Sequence, residues 1–232
     1  MITVRKSEDR GKTHIDWLDS RHSFSFGEYY DPAHENFGPL RVINEDWIRG
    51  GAGFPPHPHR DMEIVTYILG GAIAHKDSTG GGGTIRPGEI QRMSAGAGIV
   101  HAEFNASATE TCHLLQIWIM PSQRGIAPGY EQKTIDPQAV HNRFARIAAS
   151  DPGENEVRLV QDAEIWSAKL EAGIEAIHNL AQVRKAWLQV AAGEVRVNGE
   201  TLKAGDAAAI TDQAQVAVRS NEPSEVLLFD LT

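Results

Sequence analysis

Residues 51–71 read GAGFPPHPHRDMEIVTYILGG, and this stretch decides how the rest of the chain is read. In a strand, side chains two residues apart point to the same side, so His57 and His59 can offer two imidazoles to one point. Pro56 and Pro58 fix the backbone and remove ladder donors, which suits a strand edge or a strand start. The run EIVTYIL (63–69) that follows is apolar, short and closed by Gly70-Gly71, as expected of a buried strand.

Working outward, the same pattern repeats. LRVI (40–43), IQRM (90–93) and HLLQIWIM (113–120) are short apolar runs punctuated by glycine or proline. That spacing predicts an all-β chain built as a sandwich or barrel. Gly80 to Gly83, after Asp77-Ser78-Thr79, reads as a flexible hairpin loop, and Pro87-Gly88 as a turn. The turn-rich segment 121–130 (PSQRGIAPGY) predicts a linker, dividing the chain into 1–130 and 131–232, with a short helix expected within 136–150. Beyond it Asn198-Gly199, flanked by Val195, Val197 and Leu202, is a type I′ hairpin signal, and EVLLFDL (225–231) a last strand. Tyr67-x-x-Gly70 followed by Pro87-Gly88-Glu89 recurs as Val190-x-x-Gly193 followed by Ala204-Gly205-Asp206, which suggests two related β-domains.

Composition sets outer limits. With 232 residues, 41% hydrophobic and 23% charged, the chain is of globular type and long enough for one large or two small domains. One cysteine, Cys112, excludes an internal disulfide framework and any multi-cysteine metal cluster, and nothing near it suggests an activated nucleophile. The net charge of −9 is shared by both halves, leaving no basic face for nucleic acid or an anionic membrane. The opening MITVRKSEDRGKT is charged and no apolar run approaches membrane-spanning length, so the expected compartment is the cytoplasm. Histidine, unlike charge, is uneven: eight of the ten lie in residues 1–120, which points to a site there.

A second histidine motif supplies its other half. SAGAGIVHAE (94–103) is a glycine-rich bend followed by His101-x-Glu103, again two ligand-type side chains on one strand face. On neighbouring strands, H-x-H and H-x-E would present three imidazoles and one carboxylate, a set suited to a divalent transition metal. Glu63 is the rival carboxylate, because an unbroken strand would give it the parity of His57 and His59; otherwise it would orient a ligand imidazole. His75 and His113 are read as structural or surface residues before cavity ones. Phe24, Phe26, Tyr29 and Tyr30 are read as packing before substrate stacking.

These residues resemble the cupin superfamily. Gly51, five residues, His57-x-His59, three residues, Glu63, six residues and Gly70 match its first motif; Pro87-Gly88-Glu89 through Gly98-x-x-His101-x-x-x-Asn105 resembles the second. More narrowly, RHSFSFGEYYDP (21–32), HPHRDMEIVTYILGG (57–71) and PGEIQRMSAGAGIVHAEFN (87–105) resemble the pirin family, densely in the first half and weakly in the second. The resemblance implies two tandem cupin (jelly-roll) barrels with metal in the first only, held by His57, His59, His101 and Glu103. Many members read H-R-G-F-E-T where this chain has H-R-D-M-E-I (59–64), and have tryptophan at Arg92. Counting back from Gly193 as His57 and His59 lie from Gly70 gives Leu180 and Gln182. Counting on from Gly205 as His101 and Glu103 lie from Gly88 gives Val218 and Ser220. No ligand set survives, and His178 nearby is read as non-functional.

The resemblance also implies chemistry. A six-coordinate metal with four protein ligands leaves two positions, one for substrate and one for dioxygen, whereas tetrahedral zinc would be filled. Iron(II) is the first choice, with nickel, manganese, copper or zinc as alternatives. The implied activity is quercetin 2,3-dioxygenase-like cleavage of a flavonol with O2 and loss of CO, with Glu103 as the proton acceptor. The alternative is a metal-dependent redox-sensing or regulatory protein without physiological turnover, as in the pirin branch that acts as a nuclear transcription co-regulator.

Overall fold

A computed structural model describes residues 1–232. The all-β expectation holds. Strands are numbered along the chain. β1 (Ile2–Arg5) pairs with residues Ala207–Ile210 from the far end of the sequence. β2 (Gly11–Ile15), β3 (Leu18–His22), β4 (Leu40–Ile48), β5 (Gly53–His59), β6 (Glu63–Gly70), β7 (Ile73–Asp77), β8 (Gly82–Ile85), β9 (Glu89–Ser94), β10 (Ile99–Asn105), β11 (Cys112–Ile119) and β12 (Gly129–Thr134) follow. A one-turn helix α1 (Pro137–Val140), capped by the Asp136 side chain, precedes β13 (Ala145–Ala149) and the two-residue β14 (Val157–Arg158). The remaining strands are β15 (Ala163–Leu170), β16 (Glu175–Asn179), β17 (Lys185–Ala192), β18 (Glu194–Val197), β19 (Glu200–Lys203), β20 (Ala207–Ile210), β21 (Gln215–Ser220) and β22 (Ser224–Leu231). No helix is long and apolar enough to cross a membrane.

The chain forms two compact units. One comprises Gly11–Thr134 with Val157–Gln161; the other comprises Met1–Arg10, Ile135–Glu156 and Asp162–Thr232. In the first, a sheet in the order β12-β9-β6-β11-β4-β3-β2 accompanies a four-stranded sheet β5-β10-β7-β8. In the second, β1-β20-β17-β22-β15-β13 accompanies β16-β21-β18-β19. Strand for strand, β9-β6-β11-β4 corresponds to β20-β17-β22-β15, and β5-β10-β7-β8 to β16-β21-β18-β19. The repeat suggested by the glycine turns is therefore a repeat of topology, and each unit is a cupin-type barrel.

Register corrects one detail of that repeat. His101 lies opposite Asp77 and His57; Val218, at the same place in its sheet, lies opposite Val197 and Ala176. The counterparts of His57 and His59 are thus Ala176 and His178, not Leu180 and Gln182. The β16–β17 connection is longer than that between β5 and β6, so counting back from the glycine by the first barrel's offsets stops short of them. His178 Nε2 donates a 2.8 Å hydrogen bond to Asp230 Oδ2, and Arg184 also binds that carboxylate. Around them the second barrel is hydrocarbon: Leu180, Val195, Val197, Val216 and Val218 belong to one buried cluster.

Two local features position the first barrel's site. The chain reverses between β5 and β6 at Asp61, which has a positive φ of 49° and accepts a hydrogen bond from Gly125 N. β10 runs between β5 and β7, with a register shift between His101 and Glu103 on the β5 side. Such a bulge re-aims side chains at the edge of a site.

Candidate metal centre

The two histidine motifs meet. His57 is the direct cross-strand partner of His101, and their Nε2 atoms lie 3.0 Å apart. The ring centroids of His57 and His59 are 4.8 Å apart, as are those of His59 and His101. One donor atom from each of these three imidazoles lies within 4.8 Å of the others. Glu103 Oε2 is 3.9 Å from His101 Nε2. His101 and Glu103 are buried, whereas His57 and His59, on the edge strand β5, are half-buried.

The donor set suits a metal. Donors about 2.1 Å from one ion and at right angles stand about 3 Å apart, which is the His57–His101 spacing. Burial, with the neighbouring imidazoles adding to it, pushes His59 down to about 4 and His101 down to about 2. Both rings are neutral with a lone pair to give, as coordination requires. His57 Nδ1 donates to the Pro55 carbonyl at 2.8 Å, leaving Nε2 as its free donor atom. Burial raises the Glu103 carboxyl to about 7, against the opposing effect of Gln116, a shift that a nearby cation would reverse.

Beside these residues lies a cavity of about 340 Å³. Phe26, Phe54 and Trp118 give it aromatic walls; Phe26 meets Trp118 edge-on, with centroids 5.4 Å apart. Part of its polar lining comes from one cross-strand row, in which His22 pairs with Asn44 and Asn44 with Gln116, which in turn pairs with Thr66 outside the lining; Thr13, Ser20 and Asp46 supply the rest. His22 bonds Asn44 Oδ1 through Nδ1 (2.7 Å) and Thr13 Oγ1 through Nε2 (2.8 Å). Thr66 Oγ1 donates to Gln116 Oε1, and Gln116 Nε2 donates to both oxygens of Glu103. Asp46, bonded by the Ser20 hydroxyl, is pushed up to about 7 by burial.

The other singled-out residues divide. Glu63 faces away from the imidazoles: its Oε2 accepts from Ser94 Oγ (2.9 Å) and Val160 N (3.2 Å), so it neither joins the cluster nor orients a ligand. The reversal at Asp61 breaks the strand parity on which its candidacy rested. His75 is buried directly behind His101, with Nδ1 atoms 3.4 Å apart. His113 stacks on Trp47 and bonds Glu45, outside the cluster. Arg92 bonds Ser94 and pairs with Glu131 on the Glu63 side of the sheet, away from the cavity lining. Of the aromatic group, Phe24 is core, Tyr30 is exposed and Phe26 lines the cavity. Burial raises Cys112 to about 11, which makes it a poor nucleophile. Sequence reasoning missed Thr13, Ser20, His22, Asn44, Asp46, Gln116 and Trp118. For Asn44, Asp46 and Gln116 the only local signal is their polarity, and its meaning depends on the pairing.

Comparison with known proteins gives the family. A family model described as Pirin matches residues 3–119, and one described as the quercetinase C-terminal cupin domain matches 146–231. A quercetin 2,3-dioxygenase of Escherichia coli K12 is 45% identical, covering 100% of this chain and 99% of its own length. A pirin-like protein of Caulobacter vibrioides is 40% identical, with 99% of each covered. The crystal structure of the Escherichia coli pirin YhhW in complex with nickel(II) superposes with a TM-score of 0.94 at 43% identity, covering 100% of this chain and 99% of that one. With identity of this order from end to end, and the family's histidine and glutamate motifs meeting beside one cavity, the chain belongs to the pirin family.

Proposed function

We propose that the chain is an iron(II)-dependent dioxygenase that cleaves a quercetin-like flavonol, with His57, His59, His101 and Glu103 as the metal ligands. One observation supports the reading: the imidazoles of His57, His59 and His101 converge, with Glu103 Oε2 3.9 Å from His101 Nε2, and His57, His59 and Glu103 line an aromatic-sided cavity of about 340 Å³, the size class of a three-ring ligand. A divalent iron there would supply Lewis-acid polarisation of an enolic oxygen and the redox capacity that dioxygen chemistry needs. Phe26 and Trp118 hold the flat ring system, and Phe54 and Leu18 exclude water. Glu103 takes the proton of the 3-hydroxyl, its carboxylate steadied by Gln116. Both atoms of O2 enter the opened product and one ring carbon leaves as CO. The proposed compartment is the cytoplasm, consistent with a single, buried thiol in no disulfide.

The test is an anaerobic titration. Iron-loaded protein receives quercetin and then oxygen, with absorbance and headspace CO followed together. The expected result is a shifted flavonol band on binding, then its loss with about one CO per O2 consumed. A shifted band that survives oxygen supports the regulatory alternative and removes the dioxygenase reading.

A further inference from the structure

We propose that His75 and Asp77 are positioning residues that set the tautomer of His101, and that the glycine-rich turn after Asp77 serves to cage that carboxylate. The inference rests on the ligand role proposed for His101.

The three side chains form one line. Asp77 Oδ2 is 3.3 Å from His75 Nε2, and His75 Nδ1 is 3.4 Å from His101 Nδ1. All three residues are buried, and their strands are adjacent: His101 lies opposite Asp77, and Glu103 opposite His75. A carboxylate only accepts, so it takes the Nε2 proton of His75. His75 Nδ1 is then the acceptor, and His101 must carry its own proton on Nδ1. That leaves a lone pair on His101 Nε2, the atom 3.0 Å from His57 Nε2. A neutral imidazole has one proton to place, so fixing it at the far nitrogen arms the near one.

The orientation of Asp77 is itself imposed. Its Oδ1 accepts from Thr79 N (2.8 Å), Thr79 Oγ1 (2.6 Å) and Gly81 N (3.0 Å). Three donors on one oxygen leave Oδ2 for His75. A Cβ on Gly81 would stand 2.4 Å from Asp77 Oδ2, so this turn closes only with glycine there. Gly82 and Gly83 already belong to β8 and pair with Lys76 and His75. The glycine run is therefore a fitted clasp rather than the slack loop its composition suggests.

The decisive variant is Asp77→Asn. The three donors compel the amide oxygen to stay at the Oδ1 place, so the amide NH2 must face His75. His75 then accepts at Nε2 and donates from Nδ1, and His101 is driven to carry its proton on Nε2. Two readouts test this. In metal-free protein, ring 15N shifts should report His101 protonated at Nδ1 in the wild type and at Nε2 in Asp77→Asn. Chelator competition with Fe(II) and Ni(II) should show affinity about 10–100-fold weaker in the variant, with the metal-free melting temperature little changed. In a His75→Phe background, Asp77→Asn should add no further loss. Gly81→Ala, which keeps the charge but displaces the carboxylate, should weaken binding in the same direction should Asp77→Asn fold poorly. An unchanged His101 tautomer, or affinity within twofold of wild type, overturns the proposal. So does a second bound ion lost on His75→Phe, because His75, His101 and Glu103 also offer atoms within 4.8 Å of one another. The 15N readout needs neither metal nor turnover, so it stands whether or not the dioxygenase reading survives.

Discussion

Gln116 Nε2 sits 3.1 and 3.0 Å from the two oxygens of Glu103, and its amide cannot turn because Thr66 Oγ1 donates to its carbonyl oxygen at 2.9 Å. The carboxylate is therefore held by one residue of the adjoining sheet rather than by its own strand. Gln116→Met keeps volume and removes the donor. The expected outcome is metal affinity about tenfold weaker and a fall in turnover number, measured on protein reconstituted with one metal at a time. Gln116→Glu should be worse, since it sets a second carboxylate against the first.

The ligand assignment separates histidines that composition treats alike. His59→Ala should abolish both bound metal and flavonol turnover, because its ring meets those of His57 and His101. His113→Ala should leave metal content unchanged, because that ring stacks on Trp47, 4.4 Å away, and bonds Glu45. Elemental analysis of the two purified variants decides the point. Oxygenase activity in a metal-free His59→Ala protein would refute the proposed chemistry.

Asp46 gives the metal-free protein a pH dependence of known sign. Burial lifts its carboxyl from 3.8 to about 7, the Ser20 hydroxyl opposing. The folded state therefore holds a proton that the unfolded chain has released between those values, and stability falls as pH rises from about 4 to about 7. Asp46→Asn retains an acceptor for Ser20 and removes the ionisation. At pH 8 the metal-free variant should be more stable than wild type by about 2–4 kcal/mol, the difference vanishing below about pH 4. Urea melts at several pH values measure it; equal midpoints at pH 8 would show that Asp46 ionises in the fold without cost.

How much of this was legible follows from the range of each signal. H-x-H and H-x-E are local, and a two-residue period puts each pair on one face without knowledge of the fold, so the four candidate ligands could be named. Their union depended on β5 and β10 being neighbours, which local pattern does not encode and family resemblance supplied. The cavity lining is the opposite case. Asn44 and Gln116 are polar residues in β4 and β11, strands that carry other polar residues too, and only the register that lines up His22, Asn44 and Gln116 makes them a surface. Glu63 shows the limit of parity: one residue at positive φ, Asp61, turned it to the other face. Asp77 shows the limit of composition, because Asp-Ser-Thr-Gly reads as a turn whether or not its carboxylate holds anything.

Gly53 tests whether strand contact, rather than ligand identity alone, builds the centre. It faces Phe104 across the β5–β10 ladder, and a Cβ there would lie 2.3 Å from the Glu103 carbonyl oxygen and 2.5 Å from Phe104 Cα. Both are backbone atoms that cannot swing aside, so Gly53→Ala must push β5 off β10. His57 and His59 ride on β5, and His101 and Glu103 on β10, so the separation enters the donor spacing directly. The expected result is a loss of about 2 kcal/mol or more in stability of the metal-free protein, with metal affinity reduced further than stability alone accounts for. Comparing Gly53→Ala with a destabilising core substitution of equal cost, such as Ile85→Ala in the hydrocarbon cluster with Ile68 and Ile73, separates the two contributions. If both variants bind metal equally well, the close approach of these strands serves the fold and not the centre.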